Sequence, residues 1–324
     1  MSMERGLYGR SVVWMALMCL CTALSAQNEW KRRIVVARDG TGDFRTLTEA
    51  IEEIRCFMDY EVTVFIKNGV YKEKVVIPSW LENVVFEGES AEGTVITYDD
   101  HANINKMGTF RTYTLKVEGS NITFRNLTIE NNAPRLGQAV ALHTEGDRLR
   151  FIRCRLLGNQ DTVYTGAKRT RLYFQECYIE GTTDFIFGPS TALFEDCQIH
   201  SKANSYVTAA STPADVEVGY VFHRCRLTAD EGVDKVYLGR PWRPYAATFF
   251  IRCELGRHIV PQGWHNWNNP ANEKSARYAE YGNSGEGSPL EQRVSWAGQL
   301  TRKEADRYTD KAYIFRTSSE WIPE

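Results

Sequence analysis

The sequence predicts an all-β solenoid, a parallel β-helix, and three observations carry that expectation. A six-residue pattern recurs, the segments between its copies are short β-branched or aromatic runs broken by Gly, Asn and Asp, and a helical signal stands at one end. The pattern is Phe, two residues, Cys, one residue, then Leu or Ile. It occurs as "FIRCRL", "FQECYI", "FEDCQI", "FHRCRL" and "FIRCEL", with cysteines at 154, 177, 197, 225 and 253. The steps of 23, 20, 28 and 28 residues are those of a stacked repeat. "FRNLTI", from Phe124, has the same shape with Leu127 in the cysteine place. Leucine-rich horseshoes share the period but need a Leu-rich consensus and usually a helix per repeat.

From the N-terminus, Arg5 and Arg10 precede an apolar run from Val12 to Leu24, followed by Ser25-Ala26. That is the layout of a cleaved secretory signal over residues 1–26, short for a membrane span. An uncleaved anchor is the bland alternative. Cys19 and Cys21 lack the small residue expected before a lipidated cysteine. No later segment is apolar enough to span a bilayer, so the expectation is a secreted or periplasmic protein with one domain over 27–324. In "DGTGDFRTLTEAIEEI", Thr46 and Glu49 are spaced as a capping box, and Leu47, Ala50, Ile51 and Ile54 share one helical face. This helix is expected to plug the solenoid's open end, with Cys56 in it. "EVTVFIKNGVY", "NVVFEGES", "TYTLKVEG" and "NITFRNLTIE" read as strands. The stretch after Trp264 is loop-rich and is expected to pack outside the helix.

Export would permit disulfides. Five cysteines in one interior column read instead as a ladder of small buried hydrophobes. Formal charge is −2, which leaves no strong field for nucleic acid. There is no G-x-S-x-G, no zinc-like Cys/His spacing, and no His with a Ser/Asp partner at a recognisable interval. His143, His223 and His258 are expected on the surface.

The repeat works as a ruler. Asp161 lies seven residues after Cys154, and Asp184 seven after Cys177, so the two carboxylates stack on successive turns about 4.8 Å apart. Gln138 and Gln160, 22 apart, stack beside them. Like charges this close push one pKa up unless a cation intervenes, and Arg240 of "LGRPWRP" is the candidate cation, two turns on in the same register. Divergent carboxylates suit acid/base work. A buried ion-paired network that only pins the turns, or an Asp ladder binding calcium, is the alternative reading of the stacking.

At these residues the chain resembles the pectin methylesterases. The matching stretches include "DGTGDFRTLTEAI", "GVYKEKVVI", "GQAVAL", "GNQDTVY", "GTTDFIFG", "YLGRPW", "GWHNWN" and "YAEYGNSGEGS", in family order over roughly residues 34–323. The resemblance implies a right-handed parallel β-helix that removes methyl groups from homogalacturonan without metal or cofactor. It further implies that Asp184 is the nucleophile, Asp161 the general acid and then base, Gln138 and Gln160 the oxyanion donors, and Arg240 the residue that holds Asp184 ionised. Trp242 would line the sugar cleft, with Tyr164, Phe187, Phe110, Trp264 and Trp267 as cleft candidates that packing would explain equally well. The partner is then polymeric methylated galacturonan, the enzyme acting as a monomer. Asn159 and Thr183 depart from the family pattern, and both bear on subsites. A calcium-dependent lyase of the same polymer, a non-catalytic carbohydrate-binding β-helix, and an esterase for another acyl sugar are the alternatives.

Overall fold

A computed structural model of the chain describes residues 31–316 and 321–323. The leader expected over 1–26 lies outside the described residues. From Ile34 onward the chain is one compact unit. Among the described residues the strands form three sheets of 11, 7 and 8 strands, with successive turns paired in parallel. Each turn visits the three in one order. Leu149–Ile152, Arg155–Leu157 and Val163–Thr165 make one turn, and the next opens at Arg171–Gln175. This is a parallel β-helix.

The backbone explains the recurring motif. The residue just before each repeat cysteine is in the left-handed region: Arg153, Glu176, Asp196, Arg224 and Arg252 have φ of 50, 53, 55, 54 and 54°. Asn126 does the same before Leu127, with φ 54°. One such residue turns the strand through a corner, so Phe points inward, the next two residues outward, and Cys inward again. Left-handed geometry costs a non-glycine residue roughly 1–2 kcal/mol, which packing on the inner side must offset. The phenylalanines supply it. Phe86, Phe124, Phe151, Phe174, Phe194, Phe222 and Phe250 stack in one column, with centroid separations of 5.1, 5.2, 4.7, 4.6, 4.5 and 4.4 Å. Each such pair contributes about 0.5–1.5 kcal/mol beyond its buried area.

The cysteines form the neighbouring column, buried and unbridged. The thiols of Cys177, Cys197, Cys225 and Cys253 donate to the carbonyls of Phe151, Phe174, Phe194 and Phe222 on the preceding turn, at 3.3, 3.5, 3.3 and 3.3 Å. Leu127 is buried in the same place one turn before Cys154.

At the N-terminal end, helix Leu47–Glu53 has its capping box in place, Thr46 and Glu49 each accepting from the other's backbone N–H. Leu47, Ala50 and Ile51 are buried against the solenoid core. Cys56 was expected in this helix but lies beyond it, exposed. Ile54 leaves helical geometry with ψ 130° and buries its own side chain, which ends the helix at Glu53.

The stretch after Trp264 is also more integrated than expected. Arg277–Tyr281 pairs with Ala247–Ile251 and adds a further strand to the 11-stranded sheet. Buried Tyr278 and Glu280 explain this. Glu280 accepts from Arg293 Nε at 2.8 Å and from the Trp264 indole at 3.2 Å, so its charge is compensated. The three histidines expected on the surface are buried instead. His143 and His223 bond Glu145 and Glu195 at 2.7 and 3.2 Å, and neighbouring carboxylates make their burial tolerable. Burial, then His200, pushes His258 down to about 4, so it stays neutral inside.

The two columns make testable demands. Phe174→Ala should cost about 3–5 kcal/mol in chemical denaturation, and Cys177→Ala less. A thiol reagent should modify Cys56 rapidly and the five ladder cysteines only on unfolding. Rapid loss of the five ladder thiols from folded protein would contradict a sealed ladder.

Candidate active site

The site stands on the outer face of the 7-stranded sheet. Two aspartates there occupy corners: Asp161 has φ 67° and Asp184 φ 49°. The corner resets the strand's alternation. Phe185 and Ile186 both enter the core, and Phe187 then points out, whereas strict alternation would have sent Asp184 and Ile186 to one face. Thr162 and Val163 are buried likewise, and Tyr164 points out. The Asp161 N–H donates to the Thr183 carbonyl at 3.1 Å, continuing the ladder in which Val163 faces Ile186. Asp161 and Asp184 therefore sit level on successive turns.

The glutamines sit one residue before that level. The Ala139 N–H donates to the Gln160 carbonyl at 3.0 Å, which puts Ala139 opposite Asp161 and Gln138 opposite Gln160. Farther along, Leu142 faces Val163, a step of 21 rather than 22. A bulge absorbs the difference, with the Ala141 and Leu142 amides sharing the Thr162 carbonyl at 2.9 and 3.1 Å. Both glutamines are half-buried. Among the described residues neither side-chain amide has a protein hydrogen-bond partner.

Arg240 is two turns on from Asp184 but not in its register. Gly239 faces Thr208, which faces Ile186, so Arg240 is level with Phe187, three residues along. Its side chain reaches back. Nε and Nη2 bond Asp184 Oδ1 and Oδ2 at 2.9 and 2.6 Å, a bidentate pair. Tyr206 and Trp267 hold the guanidinium between them, at 3.9 and 3.7 Å from their ring centroids.

Burial raises both carboxyls. Asp184 goes up through desolvation, opposed by the hydrogen bonds and charge of Arg240. Asp161 goes well up, through deeper desolvation and then the charge of Asp184. Among the described residues only Asp184 has a bonded cation, so over an intermediate pH range Asp184 is ionised while Asp161 holds its proton.

The aromatic candidates divide. Tyr164 lies 4.7 Å from Phe187 and 4.9 Å from Phe110, with Trp242 at 5.8 Å from Phe187. Tyr164, Trp242 and Trp267 all pack against the cluster that contains Phe187, and Trp267 also covers Arg240. Trp264, expected in the cleft, is in the core at 1% exposure, stacked 4.4 Å from Tyr278. The left-handed Gly263 (φ 70°) turns the chain so that Trp264 faces inward. Tyr206 is a site residue the sequence reading missed. Another step of 22 from Asp184 reaches it, because Ile186 faces Thr208. Of the two departures, Thr183 shares a hydrogen bond with Ser205 at 2.8 Å, and Asn159 accepts from Arg135 at 3.2 Å. Among the described residues no three His, Cys, Asp or Glu side chains converge as a metal site would need.

Comparison with known proteins identifies relatives of the chain. The family model described as Pectinesterase matches residues 33–318. Pectinesterase 31 of Arabidopsis thaliana is 37% identical over 294 residues, 87% of this chain and 92% of that protein. The probable pectinesterase/pectinesterase inhibitor 23 of the same plant is 36% identical over 309 residues, 91% of this chain but 54% of that protein. Among solved structures, pectin methylesterase from carrot superposes with a TM-score of 0.83 at 31% identity, over 87% of this chain and 92% of that one. PemA from Erwinia chrysanthemi gives 0.78 at 28%, over 91% and 99%. A pectin methylesterase in complex with a hexasaccharide gives 0.77 at 28%, over 90% and 98%. The chain belongs to the pectinesterase family.

Proposed function

We propose that this pectinesterase hydrolyses the methyl esters of homogalacturonan through an acyl-enzyme on Asp184, as an exported monomer. The observation that carries the mechanism is the asymmetry of the carboxylate pair: one is bonded to Arg240, the other is buried beside it without a cation of its own.

Asp184, held ionised, attacks the ester carbonyl and forms a C–O bond to it. The oxyanion of the tetrahedral intermediate takes hydrogen bonds from the Gln138 and Gln160 amides, which protein groups leave unused. As the carbonyl re-forms, the methoxy C–O bond breaks and Asp161 gives its proton to the departing methoxide, releasing methanol. Asp161, now a carboxylate, takes a proton from water as that water attacks the acyl carbon. Collapse frees the uronic acid, which loses its proton to solvent, and returns Asp184 as a carboxylate and Asp161 as an acid. Atoms balance as ester plus water giving acid plus methanol. Exposed Phe110 and the half-buried Tyr164 and Trp242, packed around the buried Phe187, offer faces for sugar rings beside the reacting ester. Among the described residues no helix is long and apolar enough to cross a membrane. The charged and apolar composition of residues 1–26 supports export, so mature protein should begin near Gln27, as N-terminal sequencing would show.

With highly methylated pectin and EDTA, methanol should appear without an unsaturated product. EDTA-sensitive absorbance from an unsaturated sugar would favour the lyase instead. Asp184→Asn should abolish methanol release in a protein that still folds. Retention of more than about a tenth of activity, a barrier change under ~1.4 kcal/mol, would remove Asp184 as nucleophile.

The pH dependence follows from the two directions. Activity needs Asp184 ionised, so it falls as pH drops through that pKa, which lies above the ordinary carboxylate value. It needs Asp161 protonated, so it falls again as pH rises through a higher one. The profile of kcat/KM should be bell-shaped. Asp161→Asn should lower kcat by about 10²–10⁴ and erase the alkaline limb. Arg240→Gln should move the acid limb to higher pH, because the group opposing the desolvation of Asp184 is gone. An acid limb that moves down in that variant would contradict the assigned role.

A further inference from the structure

The segment after the buried Trp264 passes beside the site, and its first residue is His265. The His265 N–H donates to the Gly239 carbonyl at 3.1 Å, which ties it to the strand that delivers Arg240. Its ring lies against Tyr206 and Tyr237, at 5.4 and 5.3 Å between centroids. Its Nδ1 accepts the Trp267 N–H at 3.0 Å. An accepting Nδ1 carries no proton, so the neutral ring is the Nε2–H tautomer. Trp267 and the following Asn268 are both left-handed, with φ of 60 and 55°. Two successive residues in that region need something to hold them, and the Nδ1 bond closes that turn. The indole so held lies 3.7 Å from the Arg240 guanidinium, which grips Asp184 with both nitrogens.

We propose that His265 is a positioning residue of the esterase, whose unprotonated Nδ1 keeps Trp267 on Arg240 and thereby Arg240 on Asp184. The inference rests on Asp184 being the nucleophile, and it adds a third proton-sensitive group to the site beside Asp184 and Asp161. Protonated His265 would present an N–H to the Trp267 N–H and lose that bond. It would also put a cation beside Arg240. Among the described residues the groups facing the ring are the phenols of Tyr206 and Tyr237 and the guanidinium of Arg240, whose charge Asp184 partly offsets. Burial, and then Arg240, hold His265 below the usual histidine range. The accepting form is therefore lost at a lower pH than in an ordinary histidine.

The experiment compares the enzyme with His265→Leu and His265→Asn, reading methanol release against pH with kcat and KM separated. The leucine variant has no acceptor and should lose about tenfold in kcat with little change in KM, the effect of one hydrogen bond. Asparagine places Oδ1 near the position of Nδ1 and does not titrate, so it should restore most of that loss and remove one ionisation from the acid limb. A leucine variant with the original kcat would overturn the inference. So would an asparagine variant that is as impaired as the leucine one, or one whose acid limb is unchanged. If the leucine variant does not fold, the acid limb of the asparagine variant decides alone. If the unaltered enzyme releases no methanol, the esterase assignment has failed rather than the role of His265. The pH-dependent part of Trp267 fluorescence, obtained by difference against Trp267→Phe, then decides. It should show a transition that His265→Asn abolishes, and its persistence would overturn the role.

Discussion

In-register stacking is the constraint on which the rest of this molecule depends. Turns of a parallel β-helix lie about 4.8 Å apart, and each must put like side chains over like. Seven phenylalanine rings in one column and five cysteines in the next enforce that alignment. A slip of one residue would turn every inward ring outward. Left-handed corners are the local cost, and they recur because a single residue there is the shortest way to turn from one sheet to the next without losing phase. The same device, moved to the outer face of another sheet, sets Asp161 over Asp184 and leaves the residues after each of them facing inward. Solenoid and site are thus one geometry.

That geometry creates an electrostatic problem and uses it. Two carboxylates on adjacent turns, each nearly buried, cannot both ionise freely. Arg240 settles which one does. It comes from two turns away, and from a row three residues off, so the choice depends on the side chain being held in its reach. Tyr206 and Trp267 do this from its two faces. Removing one partner of such a desolvated pair costs about 3–5 kcal/mol, comparable to a large part of a domain's stability. The pair therefore matters to both the fold of the cleft and the charge state of Asp184, the proposed nucleophile. Backbone contacts of the loop that carries Trp267 bear on the placement of Arg240 for the same reason.

Much of this was legible in the sequence because a repeat carries its own coordinates. Seven residues from each cysteine to its aspartate was enough to predict the level pair, and the capping box at Thr46 and Glu49 announced the end cap. What was illegible depended on departures from regular spacing or on direction. Arg240 was read as level with Asp184, since nothing in the chain says how far along its strand a long side chain starts. The shared Thr162 carbonyl is a bulge without a sequence mark. Trp264 and Trp267 are three residues apart in one loop, and only the left-handed Gly263 decides that the first faces the core. His143, His223 and His258 looked like surface polar residues. Glu145 stands only two residues from His143, but the carboxylate of Glu195 reaches His223 from the preceding turn, and His258 is kept neutral by burial, neither of which a linear reading pairs.

The central claim is that Asp184 becomes covalently acylated, and trapping that species tests it most directly. Methyl-esterified oligogalacturonide mixed with enzyme and quenched in acid within a turnover should leave the oligomer, less methanol, on the peptide bearing Asp184. Hydroxylamine added before the quench should divert the same species to a hydroxamate. An adduct on Asp161, or turnover that yields neither adduct nor hydroxamate, would contradict the mechanism.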